Sequence, residues 1–207
     1  MKSFGKVSGY AAWVQAVVYA WFAVFVLFIN QPGVTPAQGL AYVRSSPVPL
    51  INALAALIFV IADVIVVLAL NARLRDSSPV AMRIATAFGL TLVPLFLAFG
   101  MVNFYIKIIP SNIADDAAAQ SVYSIFNLMI PVVLNSAIFA DGVWRLITHW
   151  AALSSKRLPA GLSYLGLLTG LQAVITFATP PALKIAAPVL HIVWAAWLGS
   201  VLPKESA

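Results

Sequence analysis

Asp63 is the residue in this chain best placed to do chemistry, a lone carboxylate inside the apolar run Ala62-Asp63-Val64-Ile65-Val66-Val67-Leu68-Ala69-Leu70. In hydrocarbon an ionised carboxylate is costly unless it faces a partner, lines a polar cavity or holds a proton. Its side chain is therefore expected to face the interior of a helical bundle. Asn135, Gln172 and His191 are likewise polar residues set within apolar runs. Counted at about 1.5 Å per residue from the basic ends of those runs, all four lie roughly 15 Å deep, and the same count brings Tyr19 and Pro94 to that level. Two readings follow. The four form a ligand pocket or proton relay, with Asp63 and His191 lining one cavity. Alternatively they are interhelical glue, since such side chains hydrogen-bond across membrane bundles for about 1 kcal/mol each.

Asp141 and Arg145 stand four residues apart, the spacing that joins opposite charges on one helix face. Near the end of their run they read as a local ion pair at the inner interface, with His149 one turn further out and solvated. Lys107 and Lys184, near the opposite ends of theirs, have stems long enough to snorkel. No His-Glu-x-x-His, Gly-x-Ser-x-Gly or paired-carboxylate pattern occurs, and His149 and His191 are the only histidines. An intramembrane enzyme is therefore the weakest reading, and no metal or cofactor is expected. Without cysteine there is no disulfide and no thiolate metal site.

The elements that must position these residues are written in the composition. Of the 207 residues 62% are hydrophobic and 9% charged, with mean hydropathy +0.98, so the lipid bilayer is the expected solvent. Backbone polar groups in lipid must be satisfied within each segment, which makes apolar spans helices. The expected fold is all-α, a polytopic membrane protein forming one six-helix bundle across residues 1–207. Its spans are Tyr10–Ile29, Leu50–Leu70, Ile84–Tyr105, Val122–Trp144, Leu162–Ala178 and Leu183–Leu202, each near the ~20 residues that cross a ~30 Å core. The first is too long for the apolar part of a cleavable signal.

The formal charge of +6 does not point to nucleic acid. Lys2, Lys6, Arg73, Arg75, Arg83, Arg145, Lys156, Arg157 and Lys204 fall on one side of a six-span arrangement, and Arg44, Lys107 and Lys184 on the other. This bias places both termini in the cytoplasm, and the basic face suits anionic lipid headgroups. Tyr10, Trp13, Trp144, Trp150, Tyr164 and Trp197 read as an inner aromatic belt, with Tyr42, Tyr105 and Tyr123 as the outer one.

The turns are marked by Arg75-Asp76-Ser77-Ser78-Pro79, Lys156-Arg157-Leu158-Pro159 and the tight Pro180-Pro181 pair. The outer loops Asn30–Val48 and Ile106–Gln120 show no periodicity and read as surface caps. Pro94, Pro131 and Pro188 lie within spans, where each removes a helix hydrogen bond. Gly166-x-x-x-Gly170 reads as a close-packing face. A faint repeat relates Ala62-Asp63, followed by Ser77-Ser78-Pro79, to Ala140-Asp141, followed by Ser154-Ser155 and Pro159.

The run from Ala62 to Leu70, together with Asp141-Gly142-Val143-Trp144-Arg145, Leu158-Pro159-Ala160-Gly161-Leu162 and Leu165-Gly166-Leu167-Leu168-Thr169-Gly170-Leu171, resembles the bacterial multi-pass membrane proteins of domain-of-unknown-function family 4386. Pro159-Ala160 departs from the basic pair usual after that turn. The resemblance implies a six-helix fold in the bacterial cytoplasmic (inner) membrane and assigns no activity. Two functional expectations remain. One is a sensor or carrier binding a small molecule, ion or lipid. The other is an accessory subunit that packs on a membrane-protein partner or forms a homo-oligomer.

The charge bias generates a direct test of topology. A phosphatase reporter, active only outside the cytoplasm, is expected to be active when fused after Val34 and silent after Ala207. Silence at Val34 or activity at Ala207 would overturn the arrangement.

Overall fold

The computed structural model describes residues 2–25, 35–175 and 181–203. Among them the fold is all-α: α1 (Lys2–Val24), α2 (Pro36–Ser45), α3 (Val48–Leu74), α4 (Pro79–Ile108), a 3₁₀ turn (Pro110–Asn112), α5 (Asp116–Ser155), α6 (Ala160–Val174) and α7 (Pro181–Val201). Four stretches are long and apolar enough to cross a membrane: Phe4–Val24, Val48–Leu74, Pro79–Asn112 and Asp116–Ser155. The apolar helices Ala160–Val174 and Pro188–Val201 are shorter. Each long helix is hydrophobic on all sides. In α3, Ala56, Phe59, Val66 and Leu70 are buried while Leu54, Leu57, Ile61 and Leu68 face outward, as expected of a helix between a protein core and an apolar solvent.

The six longer helices close into a ring in chain order. Each packs on the next, α1 on α3, α3 on α4, α4 on α5, α5 on α6, α6 on α7, and α7 returns to α1. Small residues permit the closest approaches. A β-carbon on Gly142 of α5 would lie 2.8 Å from the Gly170 carbonyl oxygen of α6, and one on Gly9 of α1 would lie 3.0 Å from the Gly199 carbonyl oxygen of α7. The Gly166/Gly170 face is thus used within the chain, against α5. Arg73 at the end of α3 donates to the Arg157 carbonyl in the α5–α6 turn at 3.0 Å, which ties the α3 end to that turn.

Helix ends differ from the sequence expectation chiefly in α5, a 40-residue helix that continues eleven residues past Trp144. Apolar content falls after Trp144, but Leu146, Ile147, Ala151 and Ala152 still recur at helical spacing. Lys156, in the left-handed conformation at φ 55°, ends it. The helices run through Pro94, Pro131 and Pro188. Pro180 and the side chain of Lys184 lie outside the described residues, as do the final residues expected of the first span.

The loop Asn30–Val48 is no featureless cap, because it contains α2. Thr35 and Gln38 form a reciprocal capping box and Pro36 occupies the first turn, which is a start signal at sequence level. Leu40 and Val43 of α2 join Ile106, Ala119 and Tyr123 in a small outer core. Tyr123 is therefore buried beneath Gly39, where it was expected at an interface. Nor does Lys107 snorkel: its ammonium donates to the Val43 and Arg44 carbonyls at 2.7 Å each, at the end of α2. Arg44 in turn reaches Asp116 at 2.8 Å.

The Gly142–Gly170 contact should be the packing site least tolerant of added volume. Gly142→Leu is expected to cost about 1–3 kcal/mol by overpacking, whereas Leu168→Ala, on the exposed face of α6, should change little. Equilibrium unfolding in mixed micelles measures both, and equal effects would contradict the close approach.

Candidate functional site

Arg145 is the centre of the polar core. It was expected at an interface with its partner Asp141, but both are buried in the bundle, with side-chain exposures of 0% and 7%. The correction follows from the true end of α5. Counted from Ser155, Arg145 is roughly 15 Å inside the helix end, level with Asp63 on α3, Thr169 on α6 and His191 on α7 counted from Leu74, Ala160 and Val201. Of the four residues that the sequence placed at one depth, Asp63 and His191 lie at this level, with Arg145 and Thr169 beside them in place of Asn135 and Gln172.

Each guanidinium nitrogen has a partner. Its Nε–H is shared between the two oxygens of Asp141, at 3.0 Å to Oδ1 and 2.9 Å to Oδ2. One terminal nitrogen donates to Thr169 Oγ1 at 3.4 Å and the other to the Tyr19 hydroxyl at 2.6 Å. The Trp194 ring lies against its plane, 3.8 Å from centroid to Cζ. A buried cation needs this many partners, because desolvating it is otherwise costly. Charge-assisted hydrogen bonds and a desolvated cation–π contact are among the strongest available.

Asp63 is buried, as the sequence requires, and faces this centre. Gln15 Nε2 donates to its Oδ1 at 3.1 Å, while its Oδ2 and the Gln15 Oε1 have no hydrogen-bond partner. Asp63 is close enough to Asp141 and Arg145 to feel both charges. Gln15 and Tyr19 are four residues apart on α1 and so share a face. That spacing in an otherwise apolar run was the signal for Gln15, which the sequence reading did not single out.

His191 packs edge-on against Tyr19, with ring centroids 5.2 Å apart. It is hydrogen-bonded to the Thr169 backbone, and its Nε2 has no partner. Tyr19 thus lies between His191 and Arg145. His149, expected to be solvated, is fully buried one turn from Arg145. The Trp194 indole donates to its Nε2 at 2.9 Å, which assigns the imidazole proton to Nδ1. A β-carbon on Gly166 would overlap the His149 ring, so that glycine makes room for it. Trp144, assigned to the aromatic belt, is instead buried edge-on against Trp194.

Asn135 and Gln172 are only half-buried. Among the described residues no hydrogen bond joins either to the cluster. Asn135 lies about 30 Å from the C-terminal end of α5, roughly 15 Å beyond the level of Arg145. A second polar chain runs from Trp21 to Asn52 at 2.9 Å and from Asn52 to Asn103 at 3.2 Å, linking α1, α3 and α4. Among the described residues no group of three or more His, Cys, Asp or Glu is placed to hold a metal.

The arrangement brings two carboxylates, one guanidinium, a phenol and two imidazoles into a buried core built by α1, α3, α5, α6 and α7. Such a set can take up a proton or hold a small polar ligand. No family model, curated protein or solved structure matches this chain, so the resemblance to domain-of-unknown-function family 4386 rests on the residues quoted above.

Removing one member of the central pair should leave the other charged, buried and alone. Arg145→Leu is expected to destabilise by about 3–5 kcal/mol. Adding Asp141→Leu to it should recover much of that loss, because a buried ion pair replaced whole by apolar side chains is often neutral. Unfolding in mixed micelles provides the measurement. A double variant no more stable than Arg145→Leu would contradict the pairing.

Proposed function

We propose that the chain is a six-span protein of the bacterial inner membrane, with both termini cytoplasmic. In this reading it binds a small molecule, ion or lipid in the polar core around Asp63 and His191, as a sensor or carrier without catalytic activity. The observation that carries the reading is the unequal satisfaction of the core. Each nitrogen of Arg145 has a partner, while Asp63 Oδ2, Gln15 Oε1 and His191 Nε2 around it, and His149 Nδ1 one turn away, have none. Buried polar atoms normally find partners, and exceptions concentrate where a ligand, ion or proton belongs. Structural glue would be expected to satisfy Asp63 as thoroughly as Arg145.

The charge bias of the loops supports the topology, and the basic inner side suits anionic headgroups. The resemblance to family 4386 agrees with that placement. A second reading, an accessory subunit, draws on α5. It is the least buried of the four long helices, with Ile125, Leu128, Met129, Val132 and Phe139 exposed. Extraction from native membranes separates the two, since an accessory role demands a stoichiometric partner.

Ligand binding at the core predicts that thermal unfolding of the purified protein responds to acidification, Na⁺ or K⁺, and that Asp63→Leu abolishes the response while still folding. A wild type indifferent to all three, with Asp63→Leu altered only in stability, would leave Asp63 as glue.

A further inference from the structure

We propose that Asp63 Oδ2 is the site of a bound proton, completed by the side-chain amide of Gln15. The inference rests on the pocket reading of the same core and names its ligand. Gln15 Nε2 donates to Asp63 Oδ1 at 3.1 Å, and the other oxygen of each group, Asp63 Oδ2 and Gln15 Oε1, is buried without a partner. As a carboxylate and an amide these two atoms are both acceptors and cannot satisfy each other. One added proton changes that. An O–H bond forms at Oδ2 and donates to Oε1, and the pair closes into a cyclic acid–amide dimer with two parallel hydrogen bonds.

The surrounding charges favour the same occupant. Facing Asp63 are Gln15 and Tyr19 from α1 and Asp141 and Arg145 from α5, with His191 of α7 behind Tyr19. Between Arg83 and Lys107, α4 carries no charge, and α3 has only Asp63 and, near its inner end, Arg73. Two carboxylates against one guanidinium leave a net negative charge in a buried core, and burying an uncompensated charge is strongly unfavourable. Arg145 has its Nε–H on Asp141 and its terminal nitrogens on Thr169 and Tyr19, and none of its hydrogen bonds reaches Asp63. A single proton on Asp63 neutralises the set and supplies the missing donor. A Na⁺ ion between the same two oxygens would neutralise it too, but two oxygens are few for a hard cation.

Infrared difference spectroscopy of the full chain in Na⁺-free vesicles of phosphatidylcholine and phosphatidylglycerol tests this. Expected is a carbonyl stretching band of a protonated carboxylic acid that shifts in D₂O, disappears in Asp63→Asn and changes position in Gln15→Leu. Asp63→Asn presents the same donor and acceptor to Gln15 as the protonated acid, so it should fold. A band that is absent, survives Asp63→Asn, or vanishes on adding Na⁺ overturns the proton site. If the band is absent while Na⁺ or K⁺ still stabilises wild type and not Asp63→Leu, the pocket stands with another ligand. If it is present but fixed across external pH jumps, the proton site stands and the sensor or carrier reading falls.

Discussion

A guanidinium held inside a bundle of apolar helices constrains everything around it. Leaving Arg145 without partners would cost far more than a typical core contact contributes, so each neighbouring element must bring something to it. Its own helix supplies Asp141, α6 supplies Thr169, α1 supplies Tyr19 and α7 supplies the face of Trp194. These partners lie far apart in sequence, from residue 19 to residue 194. Arg145 thereby fixes how the last two helices and the first close the ring. The apolar packing makes a bundle, and the cation selects which bundle.

Around that centre the helices are shaped to come close. Gly142 and Gly170 bring α5 against α6 at backbone contact, and Gly166 leaves space for the His149 ring. His149 in turn accepts from the indole of the same Trp194 that covers Arg145. Packing and electrostatics thus converge on one stripe of α5, Asp141, Arg145 and His149, at four-residue intervals. Asp63 stands outside this ion-paired stripe, held by Gln15 alone. That difference between an ion pair with a partner on every nitrogen and oxygen and a carboxylate with one oxygen unpaired is what separates scaffold from site in this core.

Much of this was legible in the residues. Asp63 had to face inward because hydrocarbon tolerates no lone carboxylate, and counting from the basic ends of the apolar runs put it level with His191, as the helix bounds do. The Gly166/Gly170 face was readable as close packing. What hid the centre was one helix end. The polar residues Arg145, Thr148 and His149 resemble an interface, and a span closed at Trp144 pushed Arg145 to the rim and Asn135 into the layer. Hydropathy marks where a helix meets lipid, whereas α5 is set by its neighbours, which bury its last turns regardless of polarity. The same reasoning explains Trp144 and Tyr123. Aromatic residues near span ends anchor to interfaces only where no neighbouring helix covers them, and here Trp194 and α2 do. Gln15 and α2 were available to a closer reading, the first from its four-residue spacing to Tyr19 and the second from the Thr35-Pro36-x-Gln38 start signal.

The burial of Arg145 is the claim on which the rest depends, and solid-state NMR of the isotope-labelled protein in phospholipid bilayers measures it directly. The account predicts dipolar contacts from the Arg145 guanidinium nitrogens to the Asp141 carboxyl carbon and the Tyr19 phenol carbon, with the second lost in Tyr19→Phe, and no contact to lipid phosphorus. A guanidinium that contacts lipid phosphate and neither Tyr19 nor Asp141 would return Arg145 to the membrane surface and contradict the account.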